Sequence, residues 1–116
     1  MDDITVFKES EADYINVDWG LTKVLIGKDG KGLSDKVMVK ITEYLPGYIH
    51  KPHIHEEQDE IIITLSGKGI SSTKYSRKTF GVGDVVLIPA GIEHETYNPF
   101  EEPLKAIIIK SPPDRE

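Results

Sequence analysis

Three histidines and a glutamate stand at spacings that suit the capture of a metal ion. One segment reads Gly47, five residues, His53-x-His55, four residues, Glu60, six residues, Gly67. A second reads Gly83, five residues, Pro89-x-Gly91, two residues, His94, three residues, Asn98. Imidazole nitrogens and a carboxylate at fixed offsets, framed by turn-forming glycines and a proline, are the makings of a protein metal site. The 116 residues include no cysteine, which excludes disulfides and thiolate ligands together. Any metal here is held by nitrogen and oxygen.

Those residues need elements that bring them together. His53 and His55 are two apart, so on an extended strand their side chains leave the same face. Glu60 opens a run through Ser66 whose β-branched density reads as a buried strand. His94 follows the turn signal Pro89-Ala90-Gly91 and starts a short alternating strand, His94-Glu95-Thr96-Tyr97. Ligands on separate strands converge only where the sheet curls around them. A closed or sandwich-like β-barrel does that, and its small interior holds one small ligand.

Further strands are expected over 6–8, 14–19, 21–26, 36–45, 70–75, 85–88 and 104–110, with turn signals at about the 8–12-residue spacing of an all-β sandwich or barrel. In 36–45, Val37, Val39 and Ile41 alternate with Lys36, Lys40 and Thr42, the pattern of a half-buried strand. One turn of helix over 10–13 is the only helical signal. The chain reads as a single all-β domain, 1–116, with a polar, proline-broken tail at 111–116 expected to be unpacked.

Composition agrees and narrows the partners. Hydrophobic residues make up 38% and charged residues 29%, which excludes disorder as the dominant state. No apolar run approaches the roughly 20 residues that span a bilayer, and the start has no basic region followed by an apolar stretch. A cytoplasmic protein without membrane contact is expected. The net charge of −6 opposes nucleic acid, and the best basic cluster, Lys74, Arg77 and Lys78, reads as a solvated hairpin arm. Asparagine occurs only at 16 and 98 and glutamine only at 58, a scarcity of thermolabile amides typical of thermophiles.

The segments 47–67 and 83–98 resemble the two motifs of the cupin family, small single-domain prokaryotic type, and every specified position matches. The resemblance implies a double-stranded β-helix, or jelly-roll barrel, with a divalent metal in its mouth. Carried over position by position, it makes His53, His55, Glu60 and His94 the ligands. Asp59 fits a shorter spacing used by some members, but the six residues between Glu60 and Gly67 favour Glu60. Three neutral imidazoles and one carboxylate suit Fe(II), Mn(II), Ni(II), Co(II) or Zn(II), and are too rich in nitrogen for Mg(II) or Ca(II). An octahedral ion so held keeps two positions for water, O₂ or substrate.

Strand parity then suggests the pocket walls. If Glu60 points inward, Ile62 and Thr64 go with it, while Ile61, Ile63 and Leu65 face the other way. Thr96 shares the His94 face, Gln58 lies between ligands and could hydrogen-bond a substrate, and Tyr48 could supply a phenol for acid–base work. Such a pocket is small and largely apolar, with no arginine beside it. It favours a compact substrate or O₂ chemistry, so a metal-dependent dioxygenase is the first expectation. The alternatives are an isomerase or lyase acting on a small keto or sugar compound, and a non-catalytic module binding a small ligand. No catalytic residue is assigned. Apolar residues on both faces of the 60–66 and 104–110 strands point to a homodimer, the assembly the family commonly adopts.

Overall fold

The structure is a computed structural model that describes residues 3–114; the side chains of residues 50–53 lie outside that description. A single 3₁₀ turn, Glu9–Glu11, precedes eleven strands. They are β1 (Ile15–Val17), β2 (Gly20–Gly27), β3 (Gly32–Leu33), β4 (Met38–Tyr44), β5 (Ile49–His53) and β6 (Asp59–Ser66). Then come β7 (Lys68–Thr73), β8 (Arg77–Gly81), β9 (Val85–Ile88), β10 (His94–Tyr97) and β11 (Leu104–Ser111). One sheet has the order β1-β2-β4-β11-β6-β9 with β3 beside β2, and the other has the order β5-β10-β7-β8. The two face each other as a double-stranded β-helix, the all-β class expected from the motifs.

The β6–β11 pairing sets the interior. Glu60 lies opposite Lys110, Ile62 opposite Ile108, and Thr64 opposite Ala106. Direct partners in an antiparallel pair share a face, so Glu60, Ile62, Thr64, Ala106, Ile108 and Lys110 all line the barrel, and all are buried. The apolar floor is Tyr44, Ile62, Phe80, Ile88, Leu104, Ala106 and Ile108. Ile62 is fully enclosed, and a side chain so buried contributes about 1.5–3 kcal/mol relative to exposure. Trp19 stacks on Tyr44 with ring centroids 4.8 Å apart.

Strand β4 departs from its alternation. The aliphatic side would be inward in a half-buried strand, yet Tyr44, Thr42 and Lys40 face the barrel, opposite Leu104, Ala106 and Ile108 of β11. Ile41 is buried on the outer face beside Lys23. The N-terminal segment covers that face: Lys23 donates to the Glu9 carbonyl at 3.1 Å and pairs with the Glu9 carboxylate. The Lys23 ammonium also sits 4.7 Å from the centre of the Tyr14 ring. The expected strand at 6–8 is therefore irregular chain. Phe7 instead packs against Gly32, where an added Cβ would lie 3.2 Å from its ring.

Candidate metal centre

His94 begins β10 in one sheet and Glu60 lies near the start of β6 in the other. Their side chains meet across the barrel, Nε2 to Oε1 at 3.6 Å, both buried. That separation is longer than a hydrogen bond and is an ion pair only when His94 is protonated. His94 Nδ1 lies 2.9 Å from the Ile92 carbonyl and donates to it. The bond assigns the tautomer, leaving the Nε2 lone pair aimed at the barrel interior, as in metal-ligating histidines held by a backbone carbonyl. His55 follows β5, its ring centroid 6.3 Å from that of His94. Its carbonyl accepts from Gly91 N–H at 2.8 Å, which ties the two motifs together.

The electrostatics favour positive charge at His94 and oppose it at His55. Burial works to lower the pKa of His94, but the Glu60 carboxylate and the Ile92 carbonyl outweigh it, and the value is raised. Burial, with the Lys110 ammonium, holds His55 below the usual imidazole range. A field that retains a proton on His94 also suits a divalent cation, and a neutral His55 is a ready donor. The donor set fits a borderline transition metal.

His53, opposite His94 in the β5–β10 register, places a fourth motif position at the same level. Its side chain lies outside the described residues. Among the described residues, no group of three or more His, Cys, Asp or Glu side chains is gathered closely enough to hold an ion.

A family model for the cupin domain matches residues 40–110. The chain belongs to the cupin family. It is 30% identical over 78 residues to a germin-like protein 3-7 of Oryza sativa subsp. japonica, covering 63% of this chain and 34% of that one. It spans about a third to just over half of the curated relatives it matches, 34% and 57% of their lengths. Among solved structures, KdgF from Halomonas sp. superposes with a TM-score of 0.82 at 19% identity, over 97% of this chain and 96% of that one. A sugar phosphate isomerase of the cupin superfamily from Silicibacter pomeroyi superposes with a TM-score of 0.66 at 25% identity, over 78% and 59%.

The remaining expected pocket residues are dispersed in this cupin. Ile62 belongs to the floor, and the Thr96 hydroxyl is bonded to Ser71 Oγ at 2.9 Å. Thr64 is buried opposite Ala106, two layers below Glu60 with Ile62 between them. Tyr48 is 52% exposed and precedes β5, at the opposite end of that strand from His53. Gln58 does reach the mouth, where its Nε2 donates to the Pro112 carbonyl at 2.7 Å and to Asp114 Oδ1 at 2.9 Å. These bonds hold residues 112 and 114 of the stretch expected to be an unpacked tail; residues 115 and 116 lie outside the described residues.

Two lysines were missed. Lys110 and Lys40 point inward beside Glu60, and with Trp19, Thr42, Tyr44 and Ile108 they enclose a small void. The signal was present in strand parity: Lys110 continues Leu104, Ala106 and Ile108 by one step, and Lys40 shares a face with Thr42 and Tyr44.

Proposed function

We propose that this cupin is a metal-dependent enzyme in which His53, His55, Glu60 and His94 hold a divalent transition ion. Its substrate is a small molecule entering the barrel mouth. The observation that carries the reading is the buried His94–Glu60 pair, 3.6 Å apart, with His94 Nδ1 fastened to the Ile92 carbonyl. When bound, such an ion polarises a substrate oxygen as a Lewis acid. The walls favour proton-transfer chemistry, isomerisation or elimination next to a carbonyl, over the dioxygenase first expected. O₂ chemistry suited the apolar pocket of Ile62 and Thr64, but the wall nearest Glu60 is built from Lys40 and Lys110. Fixed ammonium groups in a partly dry site stabilise a substrate that gathers negative charge on oxygen.

The test is metal analysis of protein purified without chelators, followed by α-proton exchange of small oxo acids in D₂O. Stoichiometric metal and metal-dependent exchange, both lost in His94→Ala, are expected. Sub-stoichiometric metal in the native chain refutes the site. Full metal without exchange on any oxo acid returns the protein to the class of ligand-binding modules.

The same reading includes a homodimer. Val85 and Leu87 of β9 and Leu65 of β6 are 66%, 60% and 43% exposed on one outer face, beside the half-buried Ile61 and Ile63. A continuous apolar sheet face of this kind is covered in an assembly. A monomeric mass at micromolar concentration would count against it. Among the described residues, no helix is long and apolar enough to cross a membrane.

A further inference from the structure

The mouth of the barrel holds an ion cluster that the metal site does not use. Asp114 Oδ2 lies 3.5 Å from Lys110 Nζ and 3.9 Å from Lys40 Nζ. Its Oδ1 accepts from Gln58 Nε2 at 2.9 Å. Lys110 is 8% exposed and Lys40 20%, so both ammonium groups have given up most of their water. Glu60 and Asp114 together balance these two cations, so withdrawal of Asp114 would leave one positive charge uncompensated within the barrel. Burying an ammonium costs several kcal/mol unless it is paired, and Asp114 is the carboxylate that both ammonium groups share.

The cluster adjoins an open cavity of about 610 Å³ lined by Ile54, His55, Gln58 and the 112–114 segment, among others. Gln58 is 7% exposed, and among the described residues its buried Oε1 has no hydrogen-bond partner. The assignment of its amide is fixed, because both neighbours of Nε2 are acceptors. Gln58 therefore offers this mouth an unused acceptor as well as a donor. Lys110 also lies directly opposite Glu60 in the β6–β11 register. An anion held by the lysines would thus reach the edge of the His94–Glu60 pair.

We infer that Lys40, Lys110 and Gln58 form a carboxylate-binding subsite, that Asp114 occupies it in this conformation, and that the carboxylate of a small acid substrate displaces Asp114. The inference rests on the mouth being the substrate site, and it narrows the substrate to small carboxylic acids. The Asp114 carboxylate is already seated where the ligand's group would lie, which favours a carboxylate over a bulkier phosphate. Because it is tethered, Asp114 competes as an intramolecular ligand at an effective concentration of the order of millimolar. Its departure would free the 112–114 segment from Gln58 and widen the entrance.

The experiment is a titration of metal-free protein with propionate, read from backbone amide shifts in β4 and β11, with propionamide as the neutral isostere. The amide of each variant is compared with native spectra to confirm the fold. Saturable shifts with propionate and none with propionamide are expected. Asp114→Asn should tighten propionate at least about tenfold, equivalent to about 1.4 kcal/mol. Lys40→Met and Lys110→Met, singly, should each weaken it by a similar factor. Equal response to acid and amide, or an affinity unchanged by Asp114→Asn and by both lysine variants, overturns the inference. Metal stoichiometry is measured separately, on protein purified without chelators. Selective propionate binding alongside sub-stoichiometric metal in that native protein would refute the metal centre and leave the subsite standing; stoichiometric metal without selective propionate binding would do the reverse.

Discussion

Replacing Asn98 with alanine should cost this protein a large part of its stability. Asn98 is fully buried. Its Nδ2 donates to the Tyr44 carbonyl at 3.0 Å and to the Glu102 carbonyl at 2.7 Å, and its Oδ1 accepts from Phe100 N–H at 2.9 Å. Its backbone is also engaged, with Gly47 N–H donating to the Asn98 carbonyl at 2.7 Å. One side chain thus ties the end of β4, the turn after β10 and the entry to β11. Three hydrogen bonds at about 0.5–1.5 kcal/mol each sum to about 3 kcal/mol, and leaving carbonyls dry and unpaired raises the cost to about 3–5 kcal/mol. For a domain of this size that corresponds to a fall in Tm of about 12–20 °C. The measurement is urea denaturation of the metal-free protein, so that ligand linkage does not enter. Asn16→Ala is the control, because Asn16 is exposed on β1 and should change stability by less than about 0.5 kcal/mol. A loss below about 1 kcal/mol for Asn98→Ala would refute the view that this residue fastens the three segments.

Other outcomes follow from the same geometry. Gly67 and Gly83 both adopt left-handed backbone, φ +79° and +89°, but an added Cβ at Gly67 would lie 2.2 Å from the Pro103 carbonyl oxygen while Gly83 faces open space. Gly83→Ala should therefore cost about 1–2 kcal/mol, the left-handed penalty alone, and Gly67→Ala distinctly more; equal losses by chemical denaturation would disprove the clash. Burial works to raise the pKa of Asp114, but the Gln58 amide and the Lys110 and Lys40 ammonium groups outweigh it and hold it below 3.8. A carboxyl depressed in the folded state contributes stability above its unfolded value that is lost as pH falls through the folded one. Asp114→Asn should flatten that part of the acid limb below about pH 4, seen as a smaller difference between denaturation midpoints at pH 5 and pH 2.5. His94→Ala and His53→Ala should each abolish stoichiometric metal by elemental analysis, whereas His50→Ala should leave it; metal retained in both ligand variants would sink the site.

The motif spacing was enough to read the barrel. Glycines at 47, 67, 83 and 91 adopt positive φ, and they end strands where the sequence placed turns. The alternation of Glu60, Ile62 and Thr64 found the inner face of β6 correctly, because period-two parity is a local property of any strand. β9 and β10 were read with their observed ends for the same reason. The 6–8 segment was misread because Phe7 alone packs inward, beside Gly32, while Val6 stays exposed and, among the described residues, no strand pairs with the segment.

Only the tertiary structure decided what the inner face of β4 is. Alternation separates two faces but does not say which of them meets the core. In β4 the aliphatic face is covered by the N-terminal segment through Lys23, Glu9 and Tyr14, and the polar face turns into the barrel. That exchange places Lys40 beside Lys110, and the docking of Asp114 on both depends on a contact across 74 residues of chain from Lys40 to Asp114. The sequence by itself determined most of the strands and turns and pointed to positions that could hold a metal, since each is set by spacing within a segment; β3 and β8 were not read from it. The charge lining the mouth was decided by which faces the closed sheets turn toward one another.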